Sequence, residues 1–151
     1  MAKLKFKKYY FNSFQFEEND NFDSDIEQLD VDFFPTAEVN ILESENVALV
    51  SLDASLGDEK KSSCPFTGKI SLTGIFEVEF DEKDTKDQKL AEEFLTQNTI
   101  AILFPYLRSF ISDMTLRTNK FPVFILPPFN VIKMMEDGKS VTINHLKKEN
   151  E

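Results

Sequence analysis

A chain of 151 residues is long enough to bury one core and too short to divide comfortably into two, so a single domain is expected. Its 27 acidic residues against 17 basic ones give a net charge of −10. That charge repels phosphate backbones and anionic headgroups, which argues against nucleic acid and membrane as partners, and it keeps a protein soluble while apolar surface is exposed.

In chain order, Lys3 to Glu17 carries Leu4, Phe6, Tyr10, Phe14 and Phe16 on one parity and Tyr9 and Phe11 on the other, which predicts a long strand with an irregularity near Asn12. Glu18 to Asp32 is acidic and turn-rich, an exposed connection anchored by Phe22, Ile26 and Leu29. Ala37, Val39 and Ile41 alternate, Glu43 to Asn46 turns, and Ala48, Val50, Leu52, Ala54 and Leu56 alternate in reply, so an antiparallel hairpin is expected. After the turn at Gly57 to Lys61, Ile70, Leu72, Gly74, Phe76, Val78 and Phe80 alternate with Lys69, Ser71, Thr73, Glu77 and Glu79, giving a strand with one buried and one wet face.

Asp81 to Lys89 reads as a solvated run, after which Ile100, Leu103, Phe104, Leu107, Phe110, Ile111 and Met114 fall at helical spacing. Pro105 within that pattern predicts a kink or a late helix start. Phe121 to Asn130 holds three prolines and is expected to run extended, followed by a short helix from Phe129 to Glu136 that ends at Gly138. Residues 1–138 form the expected domain and 139–151 a polar tail. Strands followed by helices indicate an α+β fold, the helices packed on the buried face of an antiparallel sheet.

Little in the chain suggests catalysis. His145 is the sole histidine, so no Ser-His-Asp, Cys-His or His-metal constellation is available, and Cys64 has no second cysteine to pair with. The pairs Asp58/Glu59 and Glu77/Glu79 fall on a turn and a wet strand face and read as solvated surface, and the four glycines build no phosphate loop. No enzyme, cofactor or metal is expected. The basic N-terminus is followed by no apolar run of secretory length, so a cytoplasmic location is expected.

Five segments carry a resemblance in order: Phe16-Glu17, Ala54-Ser55-Leu56-Gly57, Gly74-Ile75-Phe76, Ile102-Leu103-Phe104-Pro105-Tyr106 with Arg108, and Phe121-Pro122 with Leu126, Pro128 and Asn130. Together they resemble the SecB protein-export chaperone family over nearly the whole chain. The resemblance implies a four-stranded antiparallel sheet with a long and a short helix, assembly as a homotetramer (a dimer of dimers), and unfolded or preprotein polypeptides as clients. It implies a client groove lined by Phe33, Phe34, Phe66, Phe121, Phe124, Leu126, Phe129, Met134 and Met135, where the flexible thioethers suit varied side chains.

The family's docking face for the translocase motor SecA is acidic, and Glu17, Glu77 and Glu79 are its candidates here. Ser13 and Lys69 stand where acids are expected, which puts SecA as a partner in doubt. Two other uses of the same scaffold remain open. One is a SecB-like chaperone dedicated to an antitoxin of a toxin–antitoxin module, and the other is a carrier of small hydrophobic ligands. The breadth of the helical arc over Tyr106, Leu107, Phe110, Ile111 and Met114 also predicts an assembly larger than a monomer.

Overall fold

A computed structural model describes residues 3–42, 44–79, 85–120, 124–126, 133 and 140–146, with 85–91, 94 and 146 described by backbone alone. The elements run β1 (Lys3–Glu18), β2 (Phe33–Leu42), β3 (Val47–Leu56), β4 (Phe66–Glu79), α1 (Thr85–Arg117) and β5 (Val141–Leu146). The strands form one sheet in the order β1-β4-β3-β2-β5, antiparallel throughout except for the parallel pairing of β5 with β2.

The alternation of the central strands decides which face is covered. Ala37, Val39 and Ile41 of β2, Ala48, Val50, Leu52, Ala54 and Leu56 of β3, and Phe66, Ile70, Leu72, Phe76 and Val78 of β4 are all buried on one face. Across that face lie Leu95, Ile100, Leu103, Phe104, Leu107 and Ile111 of α1. The helix packs tightly over Gly74, where an added Cβ would stand 2.7 Å from Leu103 Cδ2 and 2.9 Å from Phe76 Cε2, so only glycine admits Leu103 there.

The expected irregularity of β1 resolves into two bulges. Register shifts between Phe6 and Lys8 and between Phe11 and Ser13 leave Lys7 and Asn12 as the extra residues. Each extra residue flips parity, so Leu4 and Phe6, then Tyr9 and Phe11, then Phe14 and Phe16 all return to the helix-side face. Asn12 is pinned by the Thr73 hydroxyl, which donates to its Oδ1 at 2.6 Å.

Three expectations are corrected. Among the described residues the sheet has five strands rather than the expected four, because Val141–Leu146 of the expected polar tail pairs along β2. The helix starts at Thr85, well before Pro105, so the late start fails. Part of the expected solvated run is therefore helical, and α1 continues through Pro105. Pro105 and Ala101 are both exposed, so water can take the carbonyl of residue 101 that the missing amide would have bonded. Lastly, the anchors of the β1–β2 connection are chiefly polar. Buried Asn19 donates through Nδ2 to Cys64 O at 2.9 Å and to Lys61 O at 3.1 Å, while Lys61 Nζ meets Asp32 at 2.7 Å and Asp30 at 3.4 Å. Of its three expected apolar anchors Leu29 is exposed, and Phe22 and Ile26 are half-buried.

Helix α1 ends where Asn119 takes a left-handed conformation (φ 54°), a conformation that closes helices and that asparagine tolerates. Beyond it the chain turns back over the helix. Buried Thr115 hydrogen-bonds the Ile111 carbonyl and accepts from Phe124 N at 3.0 Å, tying the proline-rich connector to α1. The short helix expected over residues 129–136 lies outside the described residues, apart from Lys133, which is helical.

Candidate functional site

The connector is neither helix nor strand at residues 124–126, and exposure alternates along it. Phe124 and Leu126 point into the protein and Ile125 points out, 61% exposed. Ile125 closes one side of a cleft of about 370 Å³ whose other walls are Phe104, Pro105, Arg108, Ser109 and Ser112 of α1. The Phe33 ring stands edge-on to Phe104, with centroids 6.2 Å apart, so the start of β2 adjoins this cleft. Its lining is apolar at Phe104, Pro105 and Ile125 and hydroxylic at the two serines, with one cation at Arg108. Such a surface accepts an apolar side chain and offers polar groups to a backbone beside it.

The residues expected to line a groove separate into three environments. Phe66 and Leu126 are fully buried core side chains, and the edge-on contact of Phe124 with Phe66, centroids 6.1 Å apart, makes Phe124 the half-buried link between core and connector. Phe33 faces the helix side, half-buried. Phe34, its neighbour along β2, is turned to the opposite face of the sheet, 59% exposed, so the structure does not bring it together with the others. Phe121, Phe129, Met134 and Met135 lie outside the described residues. The sequence reading missed Ile125 as a lining residue and missed Pro105 and Arg108 as walls. The alternation Phe124-Ile125-Leu126 was the available signal for Ile125.

A second aromatic surface, also missed, follows from the bulges of β1. Tyr9 stacks on Tyr106 with centroids 4.1 Å apart, Phe11 stacks on Phe110 at 4.1 Å, and Phe14 meets Phe110 edge-on at 5.0 Å. Tyr106 and Phe110, expected to serve assembly, are thus engaged within the chain, while Phe14 remains 55% exposed beside the outermost strand of the sheet.

The acidic candidates do not form one patch. Glu17 pairs in register with Thr67, at the far end of β4, roughly 33 Å from Glu77 and roughly 40 Å from Glu79 at about 3.3 Å per residue. Glu77 is ion-paired with Lys7 at 3.1 Å and stands opposite Lys5, and Glu79 stands opposite Lys3. Near Glu17, Lys69 lies opposite Gln15 and shares a shallow cleft with Asp58 and Glu59. Basic residues are therefore interleaved with the acids at both ends of this face.

Among the described residues no group of three or more histidine, cysteine or acidic side chains is placed to hold a metal, and no helix is long and apolar enough to cross a membrane. Cys64 is buried, its Sγ 3.0 Å from the Phe66 carbonyl oxygen.

An uncharacterized protein of Methanocaldococcus jannaschii, MJ0357, is 32% identical to this chain, over 97% of this chain and 91% of the relative. Among solved structures, the Mycobacterium tuberculosis SecB-like chaperone Rv1957, in complex with a ChAD peptide from the Rv1956 HigA1 antitoxin, shares the fold with a TM-score of 0.60. That match spans 84% of this chain and 91% of that one at 17% identity. The family model described as Preprotein translocase subunit SecB matches residues 2–140, which takes in the sheet through β4, the whole of α1 and the connector over the cleft, and the chain belongs to the SecB family of chaperones.

Proposed function

We propose that the protein is an ATP-independent holdase that binds extended, partly apolar segments of unfolded or preprotein polypeptide and keeps them competent for export or folding. The observation that carries this reading is the open cleft beneath Ile125, an apolar surface left exposed on a SecB-family chain with a net charge of −10. Strong self-repulsion allows that surface to face solvent without driving aggregation. Phe33, Phe124 and Ile125 form the described part of the client surface, and Phe121, Phe129, Met134 and Met135 would continue it. The protein works in the cytoplasm as a homotetramer. The test is suppression of aggregation of a slowly folding client at fixed stoichiometry without nucleotide. Wild type should hold the client, and a chain that leaves aggregation unchanged at a fivefold excess would sink the reading.

A second reading within the same class is a chaperone dedicated to one antitoxin. The antitoxin peptide bound to the Mycobacterium tuberculosis relative supports it, as does the charge pattern of the outer face, where Lys69 and the Lys7–Glu77 pair weaken an acidic docking patch for SecA. Pull-down with the cognate SecA separates the two. Export service requires binding, whereas binding that is absent in wild type and appears in Lys69→Glu favours a dedicated client. A carrier of small hydrophobic ligands would instead retain one compact ligand per chain through purification.

A further inference from the structure

Strand β5 is attached unlike any other strand of the sheet. It arrives beyond residue 140, where the match to the family ends, and it pairs parallel to β2 in an otherwise antiparallel sheet. Its register places Val141, Ile143 and His145 on the helix side, opposite Ala37, Val39 and Ile41. Among the described side chains of β5 only Val141 packs against the core; Thr142, Ile143 and His145 are exposed, Ile143 by 37% although its partner Val39 is fully buried. On the other face Asn144 Nδ2 lies 2.9 Å from both Glu38 Oε1 and Asn40 Oδ1, while on the helix side His145 Nε2 meets the Glu92 carboxylate of α1.

By contrast β2 does not need β5. All ten of its residues pair with β3, and Ala37, Val39 and Ile41 are buried against the core. Ala37 N donates to Ser140 O at 2.7 Å, and in a parallel ladder of this register the amides of Thr142 and Asn144 are the ones turned towards β2. Removing β5 would therefore expose a six-residue row of backbone donors and acceptors on an intact strand. The pairing stops at Ala37, whereas β2 begins at Phe33, whose ring adjoins the Ile125 cleft through Phe104. A strand laid along this edge thus runs towards that cleft.

We propose that β5 is a built-in stand-in for client, and that an extended client segment displaces it and pairs with the β2 edge. This rests on the holdase reading and names its acceptor. Departure of β5 releases Glu38 from Asn144 and Glu92 from His145, so the opened edge is flanked by two carboxylates. The favoured occupant is an extended segment with β-branched or apolar residues at alternate positions and Lys, Arg or Asn between them.

The test uses the full chain and fluorescently labelled, reduced and carboxyamidomethylated ribonuclease A as a permanently unfolded basic client. In N40C/N144C the two positions already meet side chain to side chain on neighbouring strands about 4.8 Å apart, so an engineered disulfide can lock β5 in place. Thr142→Pro removes one of the amides facing β2. The oxidised lock should weaken client binding and reductant should restore it, while Thr142→Pro should lower Kd roughly threefold to tenfold, the equivalent of one net hydrogen bond. In wild type, saturating client should abolish hydrogen-exchange protection of the Thr142 and Asn144 amides and leave the Ala37 amide protected. Equal affinities of the oxidised and reduced lock, or β5 amides that stay protected at saturation, overturn the displacement and leave the holdase reading standing. A wild type that binds no unfolded ribonuclease overturns both.

Discussion

Leu126 and Ile125 are neighbours in sequence with opposite duties, and their substitution separates stability from holding. Leu126 is fully buried on the inner side of the connector, so Leu126→Ala should cost about 2–5 kcal/mol and lower the melting temperature clearly. Ile125→Ser, at an exposed position, should cost within about 0.5 kcal/mol while weakening suppression of client aggregation. Phe124→Ser falls between them, at roughly 1.5 kcal/mol for a half-buried ring, because it also strips the edge-on partner of Phe66. If Ile125→Ser melts as early as Leu126→Ala, or holds client as wild type does, the cleft is not the client surface. Lys61 offers a pH test of the β1–β2 connection. Hydrogen bonds from its ammonium to Asp32 and then Asp30 hold its pKa above the ordinary 10.5. A cation favoured in the folded chain adds stability that is fully present below the unfolded value and fades as pH rises through the raised one. The melting difference between wild type and Lys61→Met should thus be present at neutral pH and vanish in strong alkali; a gap that persists there would show that Lys61 acts through its aliphatic stem.

At the scale of elements, the bulges of β1 are the most exacting feature. Inserting one alanine between Ser13 and Phe14 would, in a ladder that stays regular beyond Ser13, send Phe14 and Phe16 to the outer face, breaking the Phe14–Phe110 contact and the Phe16–Phe66 contact. The insertion should lower the melting temperature by several degrees and reduce near-ultraviolet circular dichroism while leaving the far-ultraviolet spectrum close to wild type. In helix α1, Pro105→Ala restores an amide donor in a helix that already runs straight on in sequence through residue 105, and should raise stability by about 1–3 kcal/mol. These two elements also show what the residues disclose unaided. β2, β3 and β4 were readable because one face is buried and one wet, which writes period-two alternation directly into the chain. The disruption near Asn12 was readable as broken parity, but not as two separate parity flips, since parity alone does not say which residue is unpaired. The start of α1 was hidden because its first turns are dominated by charged residues with no apolar stripe, and β5 was hidden because Val141, Ile143 and Leu146 do not keep one parity and Thr142, Ile143 and His145 are exposed. Of the expected groove residues, Phe33 and Phe124 are half-buried near the cleft, whereas the outward turn of Phe34 and the burial of Phe66 and Leu126 depend on register and on the path of the connector, which composition does not encode.

For the whole molecule, assembly as a dimer of dimers needs two contact faces on each protomer, and a standard interface buries about 800 Å² on each partner. The outermost strand β1 supplies the means at one place: its outer edge pairs with no other described strand, and Tyr9, Tyr10 and Phe14 stand exposed along it. An unpaired edge flanked by aromatic rings either meets a second copy or invites uncontrolled pairing. Light scattering at micromolar concentration should therefore give a mass near four times 17.4 kDa for wild type. Phe14→Glu, which sets a charge among those rings, should reduce that mass without changing the far-ultraviolet spectrum, and should do so more strongly at low salt, where each protomer's charge of −10 is least screened. Leu116→Glu, at an exposed position near the end of α1, serves as the control for adding the same charge elsewhere. Equal masses for wild type and Phe14→Glu would remove β1 from the interface, and a wild type that scatters as a monomer at all concentrations would remove the assembly.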